Sequence, residues 1–178
     1  MNTSWIVRTG RLVLRPVNYA DLADLARLKG DPRVFAVMLG GVRSPTQVAA
    51  ELAEDIAFWG RHGVGIWTIR AADTDAFQGI TGLHLRPDGR GFALRFALCP
   101  QAQGHGYASE AAAAALRFGH DRAGLPRILG VARESNFLSR MVLGGIGMVE
   151  CDSILRDGER IVIYESVRSA APTGRITL

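Results

Sequence analysis

The stretch from Phe92 to Phe118, FALRFALCPQAQGHGYASEAAAAALRF, decides the fold: an apolar strand runs into a glycine-bearing loop that opens into an alanine-rich helix. Phe92 to Leu98 alternates aromatic, aliphatic and small residues over a strand's length, and Pro100, with no N–H to give to a ladder, stops it at Cys99. Gln101, Gly104 and Gly106 follow as Q-x-x-G-x-G, and the glycines let the backbone take positive φ and approach a ligand with no Cβ between. From Tyr107 the chain is a strong helix former, with Ala108 and Ala111 to Ala115 in a near-continuous run. The first-turn N–H groups of such a helix have no internal partner and point into the loop. With about half a positive charge of helix dipole, they form a receptor for phosphate or pyrophosphate. Taken alone, the pattern also describes an ordinary strand-to-helix turn.

Two other phosphate loops are excluded by the same residues. A Walker loop needs Gly-Lys-Ser/Thr, which is absent. A dinucleotide fingerprint needs a third glycine where Ser109 stands, and belongs on the first strand of a βαβ unit rather than past mid-chain.

The flanking chain separates the two readings. Arg127 to Met148 reads RILGVARESNFLSRMVLGGIGM, with Asn136 and Ser139 as N-x-x-S and Ile146-Gly147-Met148 closing it; Arg11-Leu12-Val13-Leu14-Arg15-Pro16 and Gly79-Ile80-Thr81-Gly82-Leu83 precede the loop. Together with the loop, these segments resemble the GNAT acyl-CoA N-acyltransferases. The loop is similar to their motif A, which holds the coenzyme A pyrophosphate, and the order of segments resembles the branch of the ribosomal-protein N-terminal acetyltransferases (RimJ/RimL-like). The resemblance covers Arg11 to Arg168. It implies an α/β GNAT fold with a single mixed, mostly antiparallel sheet of about seven strands and about four helices. Phe92–Leu98 and Ile128–Ala132, the family's fourth and fifth strands, would splay to hold acyl-CoA.

Composition is compatible. The 178 residues, 48% hydrophobic, suffice for one domain over 1–170 with a loose tail at 171–178. Net charge is +4 and the pI near 9.7, yet the basic residues are scattered, which argues against nucleic acid and suits a cofactor with several phosphate charges. Cys99 and Cys151 show neither C-x-x-C spacing nor a disulfide framework. With no signal-like or membrane-spanning run, the expected location is the cytoplasm.

Along the chain, Leu12, Leu14 and Val17 mark a first strand, and Leu22, Leu25 and Leu28 a helix over Tyr19–Lys29 closed by Gly30-Asp31-Pro32. Arg33–Val42 reads as a loop or short helix. Ser44, Pro45 and Gln47 form a helix start with a capping box, and the helix runs to about Trp59. Strands are expected at Ile66–Arg70 and Phe77–Leu85. Beyond the alanine helix come a strand at Ile128–Ala132, a helix at Phe137–Gly145 capped by Ser135, and a hairpin of Met148–Leu155 with Ile161–Val167.

The resemblance implies acetyl transfer from acetyl-CoA to a primary amine, on a protein N-terminus or a small molecule, with no metal; a homodimer is compatible with it. The coenzyme's pantetheine arm would lie between the splayed strands, held by the N–H groups of Leu98 and of Gln103, Gly104, His105, Gly106, Tyr107 and Ala108. Gln101 opens the motif, and Asn136 and Ser139 flank the arm. Two polar groups of many relatives are replaced: the base-assisting glutamate by Ala93 and the general-acid tyrosine by Leu143. Ser139 is then the candidate for protonating the thiolate, or a helix serine bonding back to a carbonyl. His84, on the same strand face as Gly82 and Arg86, is the candidate base. Glu110 fits the first-turn electrostatics of its helix. The replacements leave a second function open, a noncatalytic acyl-CoA-binding or regulatory module.

Overall fold

The structure, a computed structural model, describes residues 3–168. The tail at 171–178 lies outside them. Eight strands form one sheet in the order β1-β2-β3-β4-β5-β6-β8-β7: β1 (Val7–Arg8), β2 (Leu12–Pro16), β3 (Ile66–Ala71), β4 (Phe77–Leu85), β5 (Phe92–Leu98), β6 (Arg127–Arg133), β7 (Val149–Arg156) and β8 (Glu159–Val167). Every neighbouring pair is antiparallel except β5 and β6. The helices are α1 (Leu22–Lys29), α2 (Pro32–Phe35), α3 (Pro45–His62), α4 (Tyr107–Asp121) and α5 (Phe137–Gly145).

The additions to the expected count are both short. β1 is two residues paired through Val7 to Leu14, too few to show a period. α2 is a single turn started by Asp31, whose side chain accepts from the Arg33 N–H, and by Pro32. α3 begins with the predicted capping box of Ser44 and Gln47 but runs on to His62, where Gly63 at φ 64° closes it. Ser135 is not the cap of α5. Asn136 is: its side chain accepts from the Ser139 N–H at 3.1 Å, while the Ser135 hydroxyl donates to Glu159. The hairpin turns on Asp157 and Gly158, both at positive φ, as a two-residue turn between twisted strands requires.

Side-chain alternation divides the sheet into two faces. α4 and α5 pack on one, where Gly119 of α4 sits against Leu83 and Ile128, and Gly130 of β6 sits under Leu143 of α5; a Cβ on either glycine would come within 2.6 Å of those side chains. α1 and α3 serve the other. There Arg70 of β3 bonds Asp21 and Asp24 at 2.7 and 2.9 Å, and Lys29, buried in α1, bonds Glu51 of α3 at 2.7 Å. The core contains Trp59 and Trp67, edge-on at 4.7 Å, and each indole N–H is satisfied by a backbone carbonyl.

Candidate active site

The parallel pairing of β5 with β6 covers three residues, Phe92↔Ile128, Ala93↔Leu129 and Leu94↔Gly130, and then stops. From Arg95 onward the two strands diverge. On the other edge of β5 the Cys99 N–H donates to Gln78 at 2.8 Å, so alternation turns the Leu98 N–H away from β4 and into the gap. The Leu98 carbonyl is held from below by the Gln103 side chain at 3.3 Å.

At the end of the gap the chain makes one turn of 3-10 helix, Pro100–Ala102, and enters the glycine loop. Gly104 and Gly106 lie at φ 80° and 77°, and no side chain caps α4 at Gly106. The first internal bond runs from the Glu110 N–H to the Gly106 carbonyl, so the amides of Tyr107, Ala108 and Ser109 face the loop. Gln103 differs from expectation: its N–H is spent on the Pro100 carbonyl at 3.3 Å. Arg11 fastens the loop to the amino-terminal hairpin. Its guanidinium bonds Glu110 at 2.8 Å and the His105 carbonyl at 2.9 Å, and lies 4.8 Å from the centre of the Tyr107 ring. Burial opposes the charge of Glu110, but hydrogen bonds from Thr9 and Arg11 outweigh it and hold the carboxyl below its usual range.

A groove of about 420 Å³ follows this path, lined by Leu98, Gln103, Gly104, Gly106, Tyr107, Ala108, Asn136 and Ser139. Of the residues expected here, Gln101 and His105 are not in the lining; Gln101 is exposed in the 3-10 turn, and the His105 ring lies against Tyr107. The opposite wall was not foreseen. It consists of Val37 and Met38 after α2, and Leu138, Met141 and Val142 on α5, of which Leu138 and Met141 are more than 70% exposed. An amphipathic reading hides such residues, because it assigns every apolar side chain to the core.

A second pocket, of about 90 Å³, adjoins the groove. The two share Val37, Met38, Phe96, Asn136 and Ser139, and the second continues to His84, Arg86, Ala93 and Arg95 on the opposite face of the sheet. The gap between β5 and β6 is therefore a passage through the sheet, with an amide-lined groove on one side and a small chamber bearing four arginines on the other.

A model of the acetyltransferase (GNAT) domain matches residues 11–149. The chain belongs to this family. Among solved structures, an acetyltransferase from Agrobacterium tumefaciens superposes with TM-score 0.80 at 27% identity, covering 90% of this chain and 93% of that one. An acetyltransferase from Salmonella typhimurium that modifies the N-terminal serine of ribosomal protein L7/L12 gives TM-score 0.79 at 16% identity, covering 91% and 98%. Spermidine N-acetyltransferase from Vibrio cholerae, in complex with CoA and spermine, gives 0.76 at 14%, covering 90% and 97%. The mixed sheet with its half-paired parallel strands is the GNAT fold, and a GNAT acetyltransferase binds coenzyme A.

Within this GNAT site, the two replaced polar positions are core. Ala93 is 2% exposed and packs with Leu129 and Ile163, and Leu143, 1% exposed, fills the space over Gly130. Neither position can move a proton. The Ser139 hydroxyl makes no hydrogen bond to a helix carbonyl or to any other described residue, and it borders the junction of the two cavities. His84 also faces the small chamber, and its Nδ1 is buried with no partner among the described residues. Burial, with Arg95 and Arg86 beside it, pushes its imidazole down to about 3. In the chain as it stands the ring is therefore neutral at pH 7, well below the ordinary histidine range.

Proposed function

We propose that the protein transfers the acetyl group of acetyl-CoA directly to a primary amine. The observation that carries this reading is the passage itself: an amide-lined groove ending in an uncapped helix N-terminus meets a separate chamber at one point, beside Ser139. The residues fit the coenzyme. The Leu98 N–H in the gap suits an added strand-like pantetheine arm, and the loop N–H groups from Gly104 to Ser109 suit the pyrophosphate.

The groove positions the thioester, and the chamber positions the amine. Such placement supplies the largest share of the rate in a reaction of this kind. Ser139 gives the departing thiolate a proton or orders a water that does so. His84, being neutral, orients by a hydrogen bond instead of taking a proton, and the ammonium loses its proton to water. The free thiols of Cys99 and Cys151 agree with a cytoplasmic enzyme, and no helix among the described residues is long and apolar enough to cross a membrane.

Coenzyme A release from saturating acetyl-CoA over a panel of primary amines tests the proposal; release dependent on one amine class supports it. A second reading, a noncatalytic acyl-CoA-binding module, is favoured by Ala93, Leu143 and the low basicity of His84. Tight binding of acetyl-CoA with no release toward any amine would establish that module instead.

A further inference from the structure

The chamber contains a cation that nothing in the described chain neutralises. Its lining carries Arg43, Arg86, Arg95 and Arg133 and no carboxylate. Three of these arginines are engaged: Arg43 bonds Glu51 at 2.5 Å, Arg86 grips both oxygens of Asp88 at 3.0 and 3.1 Å, and Arg133 pairs with Glu159. Below them Lys29 shares Glu51 at 2.7 Å and lies 3.9 Å from Asp55. Arg95 is half-buried and makes no hydrogen bond and no ion pair with any described residue; it senses Asp55 and Glu51 only at a distance. Those two carboxylates already serve Lys29 and Arg43, so the surplus positive charge belongs to Arg95.

Beside it are two more unmatched groups. His84 Nδ1 and the Arg133 Nε are buried without partners, and both residues line the same 90 Å³. A buried polar atom left without a hydrogen bond is costly, and an unpaired cation drawn partly out of water adds to the cost; a chamber that brings these groups together suits a ligand that satisfies them. A polyamine would add positive charge to a site that already has a surplus. A planar anion matches the guanidinium fork in two parallel hydrogen bonds.

We propose that Arg95 binds the carboxylate of the acceptor, and that the acceptor is a small amine of the amino-acid type. The chamber's volume, about three water molecules' worth, fits such a head group. In the step itself the amine nitrogen forms the amide bond as the thioester C–S bond breaks. Of the two protons an ammonium group gives up, one goes to the leaving thiolate and one to water. The amine part of this inference rests on the transferase reading above; the anion site does not.

The test uses the full chain with matched acceptors: each common L-amino acid, its carboxamide, its decarboxylated amine and its aminophosphonate analogue. In coenzyme A release the carboxylate member should lead its amide by about 10²-fold in kcat/KM, a loss typical of leaving a built polar site unsatisfied. Arg95→Met should bring acid and amide within about threefold of each other, while Arg95→Lys keeps part of the preference. Both variants should retain the thermal shift with coenzyme A, which shows that they fold. A binding arm needs no turnover: with coenzyme A present, millimolar N-acetyl amino acid should raise the wild-type Tm and its carboxamide should not, a difference lost in Arg95→Met. Equal response to acid and amide in both assays overturns the proposal, and a preference for the phosphonate overturns the carboxylate assignment. The binding difference without turnover upholds the anion site while the transferase reading falls.

Discussion

His84 makes the stability of the fold depend on acid in a way that one substitution removes. Burial holds its imidazole at about 3 in the folded chain, against an ordinary value of 6.5. The folded value is the lower one, so between pH 6.5 and 3 the unfolded chain takes a proton that the folded chain refuses. The loss begins as pH falls toward 6.5, grows as pH drops through that window, and levels off below 3. At pH 7 the penalty is about 0.2 kcal/mol, and by pH 5 it reaches about 2 kcal/mol. Going from pH 7 to pH 5, wild type should therefore lose about 2 kcal/mol more than His84→Gln. For a chain of this size that is an excess fall in Tm of about 4 to 8 °C. Urea midpoints at matched ionic strength measure it, and the comparison uses each protein's own change with pH, so any uniform cost of the substitution cancels. Parallel pH profiles for the two proteins would refute the buried neutral imidazole, and with it the proposal that His84 orients instead of taking a proton. The same argument requires the acidic limb of kcat/KM to be unchanged in His84→Gln between pH 5.5 and 8.

Gly106→Val should abolish the thermal shift produced by millimolar coenzyme A and still fold, because φ 77° is strained for a β-branched residue by about 1–2 kcal/mol while the nearest neighbour, Arg11, is 3.5 Å from a Cβ there. Asn136→Ala should cost about 1 kcal/mol in urea unfolding by removing the α5 cap, and should also raise the acetyl-CoA KM, since Asn136 lines both cavities; unchanged kinetics would leave it a cap alone. Ser139→Ala should lower kcat by about 10²-fold with acetyl-CoA KM nearly constant, and an unaltered kcat would assign thiolate protonation to solvent. Arg11→Ala should raise that KM by about fivefold, the worth of about 1 kcal/mol, with kcat unchanged; if KM does not move, the clamp on the glycine loop plays no part in binding.

Much of this fold was legible because its elements are punctuated. Pro100, the paired glycines and the alanine run put the ends of β5 and the start of α4 where they are found, and the strand at Phe77–Leu85 and the capping box at Ser44 behaved likewise. β1 and α2 escaped because two and four residues carry no period. The cap of α5 was misplaced by one position, since Ser135 and Asn136 are both good caps and only the hydrogen bond from the Ser139 N–H to the Asn136 side chain distinguishes them. The groove's amides were readable from glycine and helix propensity, whereas its apolar wall on α5 was not. Alternation assigns a residue to a face but does not say whether that face meets helix or chamber, and the significance of Arg95 depends on ion pairs made by residues far away in sequence, such as Glu51 and Glu159.

The passage through the sheet also divides the labour of inheritance. On the nucleotide side, recognition belongs to main-chain amides and to a loop conformation, so most side chains there are free to drift as long as the two glycines and the helix persist. On the acceptor side, the chamber is written almost wholly in side chains, with one wall taken from the segment after α2. The two codes sit on opposite surfaces of one strand, β5, in alternating register, and a change in one does not displace the other. An ancestor of this layout could be retargeted from one amine to another by rewriting the odd-numbered residues of β5 and the chain from 36 to 43, with its hold on the donor left as it was.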